Sequence, residues 1–536
     1  MTTMTLADYG TVTAVNNTLG YTFSVINNDL YALNADMTTL KVDATWAGSE
    51  FGAKVAEGYY YGINAFSSVQ NAADAVTAAV QTINVADAVY DTTKFTKSVN
   101  LTGTATFDLT KSESFMFFTD GVSAASYEIA SGTVITAPSL SLRAEDASEN
   151  HVDGLTVSVL CNGTVNLSGA SASDAAREIW VRKNTTLTVA EGGSVNGATQ
   201  LSNRGTININ GVISGVSIQG NGAMMLAGQQ NSNGTFTGGV MNIDGGELSV
   251  SGVRTISGGN SLMITDKNAT AASEKGIVNL TNGGKITAAD SEMYIGLSGE
   301  LNIGEAASVT VSKIENNGVI NVTGSGILSA AVAKGKLNFG TAQEKVNTTY
   351  DVTNQGAGEV SVQNGEVTFT GIMADDNIRI QPLNVGRYDT DYAGGILNIG
   401  SAADKTASVN AHQVYIAENE SVNEHTLNVY GNLDVYTSIY NKAKGNLNVY
   451  GTVSADYMQV AGKTAVTGAD AGLTLAGAGS NGSFKIGTDV SGLRGQMVIS
   501  DHATVDAGGI ALHIGVRQQR QHTLGVRRHI EGICAV

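Results

Sequence analysis

The chain predicts an all-β fold, a right-handed parallel β-helix of about 20 residues per turn with a short N-terminal capping helix. Three observations carry that expectation. Leu427-Asn428-Val429-Tyr430-Gly431 returns as Leu447-Asn448-Val449-Tyr450-Gly451, one period further on. A shorter signature of Gly, any residue, apolar, Asn, apolar begins at Gly163, Gly205, Gly239, Gly276, Gly299, Gly318, Gly335, Gly395 and Gly445, with a Gly-less version at His425. The 536 residues include 65 Gly and only 2 Pro, Pro138 and Pro382. That balance suits paired strands and tight corners, since an internal Pro deletes a ladder hydrogen bond.

Within one repeat the apolar positions fall at Leu427/Val429, Leu433/Val435 and Ile439, then at Leu447/Val449, Val453 and Met458/Val460. Three short alternating strands therefore share each turn. Alternation sends the aliphatic side chains inward and Asn outward. Asn428 is then expected over Asn448 and Tyr430 over Tyr450, in ladders of like residues. Asn279, Asn302, Asn321 and Asn338 follow one another at close to one period each. The longer gaps, from Asn166 to Asn208 and from Asn338 to Asn398, read as two and three turns. A single turn buries too few aliphatics to offset the entropy of ordering roughly 20 residues, so turns are stable only when stacked. The core is expected to be aliphatic, because only 6% of residues are aromatic.

In chain order, residues 1–57 read as an N-terminal β segment, with Tyr21, Phe23, Val25, Leu30 and Ala32 as inward positions. Residues 58–90 hold a capping helix and a first strand. Phe66, Val69, Ala73 and Val76 follow helical spacing, Asn64 is the expected N-cap, and Thr82-Ile83-Asn84-Val85-Ala86 is the strand. Residues 91–512 form the β-helix, with loops at 229–234 and 374–395. Residues 513–536 are an aberrant basic tail in which the Asn/Gly/Val idiom stops. A tail that binds polyanions is one reading. A shift of reading frame is the preferred one, because codons for Val-Arg-Gln-Gln-Arg-Gln-His displaced by one base can encode Phe-Asp-Asn-Asn-Asp-Asn-Thr, which is rung-like.

The helix around Gly62-Ile63-Asn64-Ala65-Phe66, the Ile83-Asn84-Val85-Ala86 strand and the Gly/Asn-rich rungs after them resemble right-handed parallel β-helix surface proteins. They are similar in particular to adhesin-type autotransporter passenger domains, over roughly Gly58 to Leu512. The resemblance implies a signal peptide and a C-terminal membrane β-barrel. The first residues contain no basic segment followed by an apolar core, and no run of ~18 apolar residues occurs, so neither a signal peptide nor a transmembrane helix is expected in this chain. The resemblance places the protein at the cell surface or outside the cell.

The formal charge is −18, and the tail from His513 onward contributes four Arg against one Glu, leaving the preceding body at about −21. Such a body argues against nucleic-acid partners. Cys161 and Cys534 make no disulfide framework, and Cys161, in the apolar run Val157, Val159, Cys161, reads as a buried hydrophobe. Candidate catalytic acids are few. Asp375 and Asp376 lie in a polar loop, and Arg387, Asp389 and Asp391 fall on one face of an alternating segment. Solvated loop charge is the simpler account of both. The Gly-His-Gly and Arg-x-Lys patterns that pectin-degrading β-helices combine with paired Asp are absent, as are the calcium nonapeptide and nucleophile-elbow motifs. His412 and His425 lack a third ligand nearby, so no metal and no cofactor is expected. No catalytic, cofactor-binding or metal residue is therefore assigned.

The expected function is that of a non-enzymatic, surface-displayed or secreted passenger-like β-helix, an adhesive or structural stalk contacting host or bacterial surface glycans or proteins, with self-association as a further mode. The alternatives are a β-helix polysaccharide hydrolase or lyase and an inactive truncated gene product. Carboxylates and aromatics clustered on adjacent turns would favour the enzyme.

Overall fold

In the computed structural model the residues described are 22–26, 29–33, 38–76, 81–145, 154–169, 177–216, 223–230, 236–270, 272–332, 336–341, 344–353, 355–373, 378–386, 394–417, 423–476, 483–487, 495–507, 511–514 and 532–535. The chain forms two compact units, one of Met1–Met224, Gly239–Met241 and Gly246–Ser249, the other of Met225–Gly238, Asn242–Gly245 and Val250–Val536. Each is built from parallel strands stacked in register, as expected of a β-helix.

The first unit has three parallel ladders. One runs through Thr39–Val42, Gln81–Val85, the start of Val99–Phe107, Ala125–Ile129, Val157–Cys161, Thr185–Val189 and Thr206–Ile209. A second takes Val89–Tyr90, the end of Val99–Phe107, Val134–Ala137, Thr164–Leu167, Ser194–Ala198 and Val212–Val216. The third stacks Thr93–Phe95, Phe115–Phe117, Ser139–Leu142, Glu178–Val181 and Gln200–Asn203. The strand Val99–Phe107 serves two ladders by bending at Gly103, whose φ is +96°; a Cβ there would lie 2.0 Å from the Val85 carbonyl oxygen. The step along the chain from one paired strand to the next is not constant. Thr186 pairs with Thr206, a step of one sequence repeat, whereas Ala125 pairs with Val157, a much longer step along the chain.

The N-terminal end differs from expectation in two details. Parallel pairing begins at Thr39–Val42, which is held between Ala65–Phe66 on one side and Gln81–Val85 on the other. The helix Val69–Asp74 sits in the connection between those two strands and buries Val69, Ala72 and Ala73. Its N-cap is Ser68, whose hydroxyl accepts from the Asn71 N–H at 3.2 Å. Asn64, expected in that role, is fully buried instead. Its amide oxygen accepts from the Tyr60 N–H at 2.8 Å and its Nδ2 donates to the Gly58 carbonyl at 3.0 Å, closing the preceding turn. Asn is suited to both tasks, and sequence spacing does not distinguish them.

Beside the expected aliphatics, the core of the first turns holds an aromatic cluster, drawn from the stretch 91–160 in which the sequence gathers Phe107, Phe115, Phe117 and Phe118. Phe95, Phe107, Phe115 and Phe117 are all within 1% of complete burial. Phe95 and Phe117 stack at 5.3 Å, and Phe117 lies 4.7 Å from Tyr127. The Tyr127 hydroxyl donates to carbonyls of Phe95 and Phe118 at 2.9 and 2.6 Å, which satisfies the one polar atom this cluster buries.

In the second unit one ladder runs from Gly276–Thr281 through Gly299–Ile303, Val319–Val322, Lys336–Phe339, Glu359–Val362 and Leu383–Val385. It continues along the ends of Ser408–Ile416, Asn432–Asn441 and Thr452–Val460. Another stacks Val346–Asp351, Asn364–Thr370, Gly394–Ile399, His425–Val429, Gly445–Val449, Lys463–Thr467 and Gln496–Ser500. Leu427, Val429, Leu433, Ile439, Leu447 and Val449 are completely buried, and Asn428 and Tyr430 stand over Asn448 and Tyr450 as the repeat requires.

The Asn ladders are discontinuous, which overturns the reading of the gaps from Asn166 to Asn208 and from Asn338 to Asn398 as whole turns. Asn166 pairs with Asn196 on one ladder, while Asn208 faces Thr188 on another. Asn338 and Asn398 likewise belong to different sheets. Gly-x-apolar-Asn-apolar is a way of entering a strand from a corner, and with three corners per turn the signature does not say which one.

Beyond Leu512, the strand Ala511–Ile514 continues a parallel ladder and Gly532–Ala535 pairs antiparallel with Gln496–Ser500. Among the described residues no helix is long and apolar enough to cross a membrane.

Candidate functional site

Asp375 and Asp376, and Arg387, Asp389 and Asp391, lie outside the described residues. The two histidines fall on strands of different ladders, His412 in Ser408–Ile416 and His425 in His425–Val429. His425 is 1% exposed, its Nδ1 accepts the Gly395 N–H at 2.9 Å, and burial pulls its pKa below the usual histidine value, so it acts as a neutral structural acceptor. The His412 ring lies 5.5 Å from that of Tyr436. Cys161 is completely buried and its thiol pKa is pushed up to about 11, mainly by desolvation. Among the described residues no group of three His, Cys, Asp or Glu side chains is placed to hold a metal ion.

What the fold does assemble is rows of like side chains. In the second unit Asn279 donates to Asn242 at 2.9 Å, Asn302 to Asn279 at 2.8 Å, Asn321 to Asn302 at 2.7 Å and Asn338 to Asn321 at 3.0 Å. On the neighbouring ladder Asn428 donates to Asn398 and Asn448 to Asn428, both at 2.8 Å. Each amide supplies one donor and one acceptor along the stack, so an interior member is satisfied on both sides.

Tyrosines make parallel rows beside them. Tyr430 and Tyr450 stack at 4.8 Å with their rings 13° apart, and Tyr415 and Tyr440 at 5.1 Å and 12°. Tyr457 continues the second row, tilted, at 5.7 Å from Tyr440. At the bend of Asn432–Asn441, Tyr436 is 54% exposed, with the Arg379 guanidinium 4.6 Å from its ring centre. One-strand spacing along a ladder, about 4.8 Å, is also close to a ring-stacking distance, which is why tyrosines repeated once per turn stack rather than splay.

A second assembly, in the first unit, escaped the sequence reading. Three strands end in Arg: Ser139–Leu142 before Arg143, Glu178–Val181 before Arg182, and Gln200–Asn203 before Arg204. Leu142 pairs with Val181 and Val181 with Asn203, so the arginines meet at one corner on successive turns. Arg143 is engaged by both carboxylate oxygens of Glu113 at 2.5 Å and lies 3.9 Å from Glu145. Trp180 is flanked by the Arg182 and Arg143 guanidiniums, 5.0 and 5.3 Å from its ring. Glu178 is pushed up to about 8, first by burial and then by Glu113, against the opposing pull of Arg182, Arg204 and Arg143. The recurrence of Arg directly after an alternating strand was the available signal.

No protein-family model matches the chain, and no curated protein matches it.

Proposed function

We propose that this protein is a non-enzymatic, passenger-like β-helix, displayed on or released from a bacterial cell surface, which contacts surface glycans or proteins through its ladder faces. The observation that supports this best is the tyrosine array of the second unit. Tyr415, Tyr440 and Tyr457 form one row and the exposed Tyr436 stands at the adjoining bend. Half-buried tyrosines offer apolar area at low entropic cost together with a hydroxyl, and rows of them suit sugar rings or protein side chains. A single such contact is weak, but many on one surface add by avidity.

The direct test is binding of the full chain to a panel of immobilised glycans and to intact cells, compared with a Tyr415→Ser/Tyr436→Ser/Tyr440→Ser variant. A drop of about tenfold or more in the variant is expected; equal binding by both proteins, or none by either, defeats the contact reading. Display is tested separately by recovering the complete locus, where an export signal and a membrane barrel support it and a complete gene with neither removes it.

One observation favours the enzyme alternative. Glu113, Glu145 and Glu178 gather with Trp180 and Phe118 on adjacent turns, and a carboxyl held protonated near neutral pH is the kind of group used as a general acid. Against it, both Glu113 oxygens are engaged by Arg143, which leaves the corner richer in cations than in free carboxylates. Glycan turnover that disappears in Glu178→Gln, or in Asp376→Asn or Asp389→Asn, would decide for the enzyme.

A further inference from the structure

Among the described residues the arginine corner of the first unit is unevenly matched in charge, with Arg143, Arg182 and Arg204 against Glu113, Glu145 and a Glu178 whose pKa is raised. Backbone pairing runs through it: the Arg182 N–H donates to the Leu142 carbonyl at 3.1 Å and the Arg204 N–H to the Val181 carbonyl at 2.8 Å. Successive arginines are thus held about one strand spacing apart, roughly 4.8 Å at the backbone. Arg143 is held by Glu113 through Nη2 and by the Ser141 hydroxyl through Nε. Arg182 has Glu145 at 4.0 Å, a carboxylate it shares with Arg143. Among the described residues Arg204 forms no ion pair, and its Nε is buried without a hydrogen-bond partner. Burial first and the neighbouring Arg182 second lower the Arg204 pKa, against an opposing pull from Glu178.

Glu178 does not cancel this surplus at neutral pH. It faces Ser139 on one turn and Gln200 on the next, and its raised pKa keeps it protonated, so that it offers an O–H donor. Two adjacent guanidiniums with planar donor edges match a carboxylate. The half-buried indole of Trp180 stands beside them, 5.0 Å from the Arg182 guanidinium, where its fluorescence reports on a ligand held there. The chain as a whole carries −18 and repels a densely charged polymer, so the corner suits an isolated carboxylate.

We propose that Arg182 and Arg204, with Trp180 and Glu178 beside them, bind a saccharide that carries a single carboxylate, a sugar of the uronic-acid type. This rests on the contact reading of the protein but concerns a face of the first unit that does not involve the tyrosine rows, so either can fail alone. The charged groups facing Glu178 are Glu113 and Arg143 from the preceding turns, Arg182 on its own strand and Arg204 on the next. Raising the pH through about 8 ionises Glu178. The carboxylate so formed neutralises Arg182 and Arg204 and repels the ligand, and binding weakens.

The experiment uses the full chain in a Trp46→Phe background, which leaves Trp180 as the sole indole, and reads its fluorescence and the heat of binding with D-glucuronate, D-glucose and acetate as probes. Saturable binding of glucuronate at about 1 to 10 mM near pH 6.5 is expected, with glucose and acetate much weaker. Arg182→Gln/Arg204→Gln should weaken it about tenfold or more with the strand circular dichroism retained. Wild type should lose affinity between about pH 6.5 and 9.5, whereas Glu178→Gln, nearly isosteric and unable to ionise, should bind equally at both. No saturable glucuronate binding by the wild type overturns the proposal. So does acetate binding as tightly as glucuronate, which would mean an adventitious anion only, or a pH profile identical in wild type and Glu178→Gln. Binding to the glycan panel that depends on the tyrosines would survive any of these outcomes.

Discussion

Removing the side chain of Asn428 should cost about twice as much as removing that of Asn448, and the two changes together should cost no more than the first alone. Asn428 stands in the middle of its ladder, donating to Asn398 and accepting from Asn448, each at 2.8 Å, while Asn448 faces Ala465 on its other side. Asn428→Ala therefore removes two hydrogen bonds and Asn448→Ala one. At ~1 kcal/mol for each half-buried bond, the single changes cost ~2 and ~1 kcal/mol. The double variant also lacks two bonds and costs ~2 kcal/mol, which makes the coupling ~1 kcal/mol. The outward direction of Asn448 implies from the sequence that Asn448→Ser costs little, and its single amide bond to Asn428 sets the cost expected of Asn448→Ala. A long coil need not unfold in a single step, so the measurement is native-state hydrogen exchange of peptides covering His425–Val429 and Gly445–Val449, read as local opening free energies in all four proteins. Additive costs, or equal costs for the two single changes, would refute the view that the amides act as a chain of paired donors and acceptors.

Leu447→Asp places a charge at a completely buried position on top of the lost apolar contact, and should destabilise its rung by roughly 4 kcal/mol or more, seen as lost exchange protection in Gly445–Val449 and its two paired strands. Protection unchanged there would contradict the inward assignment. Glu178 has a folded pKa of about 8 against an ordinary carboxyl value of 4.5, so its contribution to stability is present below the ordinary value and is lost as pH rises through about 8. Melting temperatures of wild type should fall between about pH 6 and 9.5 more steeply than those of Glu178→Gln, and parallel slopes would show that Glu178 is not desolvated. Cys161, buried with its thiol near 11, should resist a thiol reagent in a Cys534→Ser background until urea is added; modification of the native protein within minutes would place it at the surface.

The sequence by itself determined the coil. A period near 20 with three alternating segments admits only stacked turns, because one turn cannot bury enough to hold itself, and Leu427/Leu447, Asn428/Asn448 and Tyr430/Tyr450 must coincide once the repeat is in register. Local chemistry was less decisive where two placements satisfy the same residue. Asn64 and Ser68 are both able to cap the helix, and only the surrounding turn, whose Tyr60 N–H and Gly58 carbonyl bond the Asn64 amide, claims Asn64 for another task. The tertiary structure alone decided which corner each Gly-x-apolar-Asn-apolar signature occupies, because the signature describes a strand entrance and each turn has three of them. It also decided the arginine corner. Arg143, Arg182 and Arg204 are spaced unevenly along the chain, so no period connects them. Strand register ignores loop length and aligns whatever follows each paired strand, which brings three like charges into one row beside a buried carboxyl.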